Sequence, residues 1–210
     1  MKTEIRYAGH PADVKNYDTT RLRKEFLIEK IFIPDEITLV YSMYDRYIVG
    51  GAMPATLALK LETIDDLKAP NFLDRREMGI INVGGPAIIE TASGNFELDY
   101  KEALYLGKET RDVVFKSKDP KNPAKLYINS APAHHAYPSK KVTKKDAEIV
   151  VTGSAAESNH RSIIKLLVNS VLPTCQLQMG MTEFAPGSVW NTMPVHTHNR
   201  RMEAYFYFEV

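Results

Sequence analysis

Short runs of apolar residues, separated by polar turns, recur along most of the 210-residue chain. Most of these runs are rich in β-branched and aromatic residues and are bounded by Gly, Pro, Asn or Asp, which is the pattern of β-strands joined by turns. Strands do not alternate with helices as they do in βαβ units. The pattern therefore predicts a mainly β chain, a sandwich or barrel, with strands at 37–41, 47–49, 56–59, 78–83, 87–91, 103–106, 113–115 and 125–129.

A helix, a turn and a connector are also predicted. The start is polar and turn-rich, and one helix is predicted over 21–27 with Asp18 or Thr19 as its N-cap. Ser93-Gly94-Asn95 predicts a hairpin turn. Residues 134–146 have the charge and composition of a connector.

The later part of the chain predicts fewer elements. Residues 158–167 suit either a short helix or a polar edge strand. A strand is predicted over 175–183, and an aromatic strand begins at Glu203.

Composition excludes several classes of protein. The chain has 27 Lys and Arg against 26 Asp and Glu, a net charge of +1. This balance argues against a nucleic-acid binder, which would carry a basic stripe, and against a general attraction to membranes. The single cysteine, Cys175, excludes an internal disulfide framework, suits a cytoplasmic protein and is expected in buried strand packing.

His196-Thr197-His198, followed by Glu203, is the segment that carries chemistry. Residues two apart on a strand point to the same face, so the two imidazoles are presented together. Glu203 is five residues past His198, and a turn between them can return its carboxylate to that face on a neighbouring strand. Two imidazoles and a carboxylate predict a metal site with open positions, and this interpretation is favoured over a surface ion pair of Glu203 with a nearby arginine.

Other candidates are weaker. His134 and His135 are adjacent, so on a strand they would point to opposite faces, and a loop is the better interpretation. Arg75-Arg76-Glu77 before an apolar run resembles Arg200-Arg201-Met202-Glu203, which leaves an internal duplication open.

The segments around the metal motif resemble one family. They include 72–77, 79–85, 103–107, 131–134 and 174–194, together with the His-x-His pair and Glu203. In these segments the chain is similar to the bicupin ketol-isomerases of 4-deoxy-L-threo-5-hexosulose-uronate, a sugar acid also called 5-dehydro-4-deoxy-D-glucuronate. The resemblance extends from about Arg21 to the end.

This resemblance implies two antiparallel β-barrel, or jelly-roll, units. Residues 1–133 would form a metal-free cupin barrel with an N-terminal extension. Residues 134–210 would form a linker and the first part of a metal-binding barrel, which is incomplete in this chain. The metal-free assignment agrees with the repeat, since the positions five and seven before Glu77 are Phe72 and Pro70, which do not bind metals.

The resemblance also implies an activity and its setting. The enzyme would convert 5-dehydro-4-deoxy-D-glucuronate to 3-deoxy-D-glycero-2,5-hexodiulosonate in pectin or uronate degradation, as a cytoplasmic homohexamer without nucleic-acid or membrane partners. One zinc per chain would be held by His196, His198 and Glu203, and a fourth ligand, a histidine, is expected beyond residue 210.

The sequence assigns no catalytic or substrate-binding residue. Glu183 is a candidate base, although a structural ion pair is the better interpretation, and Arg161, Arg200 and Arg201 are candidates for binding the substrate carboxylate. Two further functions stay open: a metal-dependent cupin oxygenase, which uses the same two-histidine, one-carboxylate set, and a non-catalytic sugar-binding cupin.

Overall fold

Three β-sheets form the framework of the fold in the computed structural model, which describes residues 1–190, 198–199 and 201–209. The helices are α1 (Pro11–Val14) and α2 (Thr19–Phe26), with a 3₁₀ turn at Asp65–Leu67. The strands are β1 Lys2–Arg6, β2 Glu36–Ser42, β3 Tyr47–Met53, β4 Leu59–Lys60, β5 Arg76–Asn82, β6 Ala87–Thr91, β7 Gly94–Leu98, β8 Ala103–Leu106, β9 Val114–Ser117, β10 Leu126–Pro132, β11 Lys140–Val142, β12 Glu148–Thr152, β13 Arg161–Leu167 and β14 Met179–Phe184. The prediction of a mainly β chain is confirmed.

The largest sheet has seven strands in the order β1-β2-β3-β10-β5-β8-β11. Its neighbours are antiparallel except for β1, which runs parallel to β2. A four-stranded sheet, β4-β9-β6-β7, and a three-stranded sheet, β12-β13-β14, are both antiparallel. Because β11 pairs with β8, the large sheet takes in a strand that follows residue 133.

The seven-stranded sheet is buried on both faces. Residues that alternate along its strands belong to two different apolar clusters, as the period of two in a strand requires. One cluster joins it to the four-stranded sheet, and its members include Leu39, Ile80, Leu104, Ile128, Ile89 and Phe115. The other joins it to the three-stranded sheet, and its members include Val40, Ile81, Tyr105, Tyr127, Ile164 and Met181.

The helix and most of the strands lie where the sequence predicts them. Asp18 is the N-cap of α2, since its carboxylate accepts a hydrogen bond of 2.8 Å from Arg21 N–H, and Thr19 is the first helical residue. The predicted hairpin is β6–β7, with Thr91 opposite Gly94, which places the turn slightly earlier than 93–95.

The strand predicted over 56–59 is wrong for most of its length. The backbone N–H groups of Thr56 and Leu57 donate to the Asp35 carboxylate at 2.6 and 2.9 Å, and Thr56 Oγ1 donates to it at 2.7 Å. These bonds hold the segment in a turn, so only Leu59 and Lys60 join a sheet.

Three other segments differ from the sequence-based predictions. The polar opening segment contains β1, because backbone pairing with β2 does not need apolar side chains. Residues 161–167 form the central strand of their sheet, neither a helix nor an edge strand. The strand predicted to begin at 175 begins at Met179, and Cys175 is half-buried in the loop before it.

No helix in the described parts of the chain is both long enough and apolar enough to cross a membrane.

Candidate functional site

His198 and Glu203 are in direct contact. His198 Nε2 lies 2.9 Å from Glu203 Oε1, although the two residues are five positions apart. Both side chains are partly exposed, His198 at 25% and Glu203 at 37%. An imidazole nitrogen and a carboxylate oxygen are both zinc ligands, so the pair brings together two donors of the right chemistry.

Two neighbouring side chains complete the surroundings of this pair. The Arg201 guanidinium lies 3.0 Å from His198 Nε2 and 3.5 Å from Glu203 Oε1. The Tyr205 hydroxyl donates a hydrogen bond of 3.1 Å to the second carboxylate oxygen, Glu203 Oε2. Both oxygens of Glu203 are therefore engaged.

His196, the third predicted ligand, lies outside the described residues, as does Arg200. Among the residues that the structure does describe, no group of three or more His, Cys, Asp or Glu side chains is close enough to hold a metal ion. The three-ligand site therefore stays a prediction.

The segment 201–209 is an extended chain without strand pairing. Exposed and half-buried residues alternate along it, as they would on a strand. Phe206 packs on the large sheet, stacking on Tyr127 at 4.9 Å between ring centroids and meeting the Phe32 ring edge-on at 5.6 Å. The predicted aromatic strand is thus wrong as a paired strand, but its alternation is real and it places Glu203 on the exposed side.

A groove of about 1440 Å³ runs beside the pair. His198, Arg201 and Glu203 line one part of it, and β2 and β3 contribute Val40 and Val49. Residues from the N-terminal segment line another part. The groove is larger than a typical small-molecule pocket, so its volume is sufficient for a small ligand together with water.

Glu183 forms structural ion pairs with two lysines. Its carboxylate lies 2.7 Å from Lys144 Nζ and 3.2 Å from Lys101 Nζ. The hydrogen bond from Lys144, reinforced by Lys101, holds the pKa of Glu183 below its ordinary value of 4.5 despite partial burial. A carboxylate so held is a weak base.

Arg161, the other described candidate for carboxylate binding, lies in a different place. It donates a hydrogen bond of 2.8 Å to the Asn159 carbonyl, and its guanidinium lies over the Trp190 ring, 5.7 Å from the centroid. Arg161 is not among the residues that line the groove, whereas Arg201 is.

The histidine pair at 134–135 lies in an exposed bend after β10, as predicted. The His135 carbonyl accepts a hydrogen bond of 3.3 Å from Cys175 Sγ, and His135 N–H donates back to the sulfur at 3.4 Å. Cys175 therefore ties two loops together, and the expectation of buried strand packing is wrong because the chain turns here to reach β14.

Glu77 is a buried carboxylate whose anchoring role the sequence does not indicate. It is fully buried, and its carboxylate accepts hydrogen bonds from the backbone N–H groups of Cys175, Gln176 and Leu177 at 2.6–2.8 Å. The Tyr105 hydroxyl donates a fourth bond of 2.7 Å. The segment 75–77 that resembles 200–203 contains Glu77, yet three of its four hydrogen-bond donors lie about a hundred positions away and leave no local signal.

Comparison with known proteins gives consistent results. The chain matches the model of the KduI/IolB family over residues 29–210. It is 66% identical to 4-deoxy-L-threo-5-hexosulose-uronate ketol-isomerase 1 of Bacteroides thetaiotaomicron, an alignment that covers 100% of this chain and 76% of that protein. It is 53% identical to the corresponding ketol-isomerase of Formosa agariphila, over 100% of this chain and 75% of that one.

Among solved structures, an IolB-like protein of Salmonella typhimurium aligns with a TM-score of 0.47 and 18% identity, over 61% of this chain and 47% of that one. The family match and the two sequence relationships cover nearly all of the chain. The chain therefore belongs to the KduI/IolB family, and within it to the ketol-isomerases.

Proposed function

We propose that this chain isomerises 5-dehydro-4-deoxy-D-glucuronate to 3-deoxy-D-glycero-2,5-hexodiulosonate during uronate degradation. The observation that carries the proposal is the 66% identity, across the whole chain, to an enzyme named for this substrate. The contact between His198 and Glu203 beside a groove of suitable size supports it independently of that name.

We further propose that His196, His198 and Glu203 hold one zinc ion. The fit rests on the 2.9 Å approach of an imidazole nitrogen to a carboxylate oxygen, since these are zinc donors and their partial exposure leaves room for a substrate. A bound zinc would supply Lewis-acid chemistry to the carbonyl and hydroxyl oxygens of the sugar.

The residues around the pair have separate tasks in this proposal. A ketol isomerisation moves a proton between neighbouring carbons, and negative charge develops on the substrate oxygens. Arg201 supplies a positive charge beside the pair, and the Tyr205 hydroxyl fixes the second oxygen of Glu203. Glu183 takes no part in the proton transfer, because its carboxylate is bound by two lysines.

The proposal also includes an architecture. The seven- and four-stranded sheets, with the apolar cluster between them, would form the metal-free barrel, and the three-stranded sheet would begin the metal-binding barrel of a bicupin. A cytoplasmic homohexamer is proposed from the family resemblance, and sedimentation analysis of the full-length protein tests it: a particle of any other size contradicts the hexamer.

Turnover and metal content test the function together. The full-length protein, incubated without oxygen with the uronate, is expected to form the second isomer by NMR and to contain about one zinc per chain by elemental analysis. The double variant His196→Ala/His198→Ala is expected to lose both the metal and the activity. His134→Ala, which removes an exposed histidine from a loop, serves as the control.

The outcomes separate the alternatives. Active protein without a bound transition metal contradicts the zinc site but not the isomerase. Turnover only in the presence of oxygen and iron would instead identify an oxygenase, and binding without turnover would identify a sugar-binding protein.

A further inference from the structure

The N-terminal arm, defined here as residues 1–28, forms part of the groove that contains His198 and Glu203. It contributes Arg6, Lys15, Arg23 and Phe26 to the lining. The arm, His198 and Glu203 therefore face one common space, although the arm and the pair are far apart in the sequence.

The arm is held firmly against the large sheet. Its first strand, β1, pairs with β2 along its whole length. Arg6 donates hydrogen bonds to the carbonyl oxygens of Glu25 and Leu27, at 3.3 and 2.9 Å. The Tyr44 hydroxyl accepts from Gly9 N–H at 2.8 Å and donates to the Gly9 carbonyl at 3.2 Å. These bonds make the arm a fixed wall of the groove.

The extent of the two sequence matches separates the arm from the rest of the chain. The KduI/IolB family model begins at residue 29, whereas the ketol-isomerase of Bacteroides thetaiotaomicron aligns with all of the chain. The arm is thus shared with an isomerase and lies outside the part matched by the broader family.

The three cationic residues of the arm that line the groove differ in whether they already form an ion pair. The Arg6 guanidinium lies 2.8 Å from Glu4, and that of Arg23 lies 2.7 Å from Glu29. The ammonium of Lys15 makes no ion pair or hydrogen bond with any residue that the structure describes. Lys15 is exposed and its four-carbon stem is flexible, so its charge can reach an anionic ligand at no cost in broken ion pairs.

We propose that Lys15 binds the carboxylate of the substrate and that the arm thereby selects sugar acids over neutral sugars. This inference rests on the proposed function, because it takes the uronate as the ligand of the groove. His198, Glu203 and Lys15 line the same groove, so the reacting end of the sugar would lie beside the pair and its carboxylate beside Lys15.

Lys15→Ala tests the proposal in steady-state kinetics with the uronate. We expect KM to rise about tenfold while kcat stays within about twofold, since one charge-assisted contact to the ligand is lost and the reacting groups are untouched. Lys15→Arg is expected to keep most of the affinity, because it restores a cation. The matched control is Lys24→Ala, which removes an exposed lysine of α2 that does not line the groove.

Two further readouts distinguish a lost contact from a damaged fold. The zinc content and the thermal midpoint of Lys15→Ala should equal those of the unaltered protein. If the unaltered protein isomerises the uronate and Lys15→Ala has the same KM as Lys24→Ala, this proposal is overturned alone. If the unaltered protein does not act on the uronate at all, the proposed function fails and takes this proposal with it.

Discussion

At the scale of single residues, Glu77 shows how one buried carboxylate can join distant parts of the chain. It lies on β5, and the three N–H groups that it accepts belong to the loop 175–177, which leads into β14. A buried charge is tolerated only where hydrogen bonds replace its hydration, and here four donors do so. Its neighbour Arg76 is also buried, and burial lowers the pKa of Arg76 to about 10, while Ser130 and the Arg46 carbonyl accept its hydrogen bonds.

Glu77→Gln is expected to lower the free energy of unfolding by about 2–5 kcal/mol, because an amide NH₂ would replace one carboxylate oxygen and face two N–H or O–H donors. Urea denaturation measures the change. Tyr105→Phe, which removes a single donor, should cost only about 1 kcal/mol. Equal stability of Glu77→Gln and the unaltered protein would show that the carboxylate does not anchor the loop.

At the scale of elements, the close approach of two sheets depends on Gly79 in β5. A methyl group placed there would clash with Met179 Sδ and lie 2.7 Å from Leu167 Cδ1 and 3.0 Å from Leu177 Cδ2. All three neighbours belong to the C-terminal part of the chain. Because glycine has no side chain, position 79 leaves the space that these three apolar side chains occupy.

Gly79→Ala should destabilise the protein by about 1–3 kcal/mol, as overpacking of a core does. Because the nearest atom belongs to the flexible side chain of Met179, combining Gly79→Ala with Met179→Ala should remove part of that cost, and the two changes should be non-additive. Denaturation of both single variants and the double variant gives the coupling. Simple additivity would mean that Met179 is not the residue that Gly79 accommodates.

At the scale of the whole molecule, an ionic network connects parts of the chain that belong to different sheets. Glu183 on β14 contacts Lys101, in the turn between β7 and β8, and Lys144, which follows β11. Lys101 also lies 3.2 Å from Glu209, near the end of the described chain. The network thus spans the junction between the large sheet and the three-stranded sheet.

The lowered pKa of Glu183 makes this connection sensitive to acid. A carboxyl group whose pKa is lower in the folded state stabilises the fold above its unfolded value of 4.5, and that stability is lost as the pH falls through the folded pKa. Glu183→Gln should therefore be less stable than the unaltered protein by about 0.5–1 kcal/mol at neutral pH, and the difference should shrink as the pH falls below 4.5.

Denaturant titrations across this pH range measure the effect. Glu62→Gln is the control, since that glutamate is exposed and 3.8 Å from its nearest lysine. A difference for Glu183→Gln that is constant with pH would contradict the ionic origin.

Local patterns determined much of the secondary structure without any tertiary information. Apolar runs with β-branched residues located most strands, and Asp18 marked the start of α2, because strand alternation and capping depend on neighbours a few positions away. The sequence spacing also predicts that His198 and Glu203 lie close together, and the structure places His198 Nε2 2.9 Å from Glu203 Oε1.

Only the tertiary structure decided how these elements combine. The turn at Thr56 follows from a carboxylate twenty-one positions earlier, and the role of Glu77 follows from a loop about a hundred positions later. That the large sheet is buried on both faces, and that the N-terminal arm shares a groove with Glu203, likewise depend on long-range packing. Such contacts leave no periodic signal in the sequence, because their free energy comes from surfaces that meet only after the chain has folded.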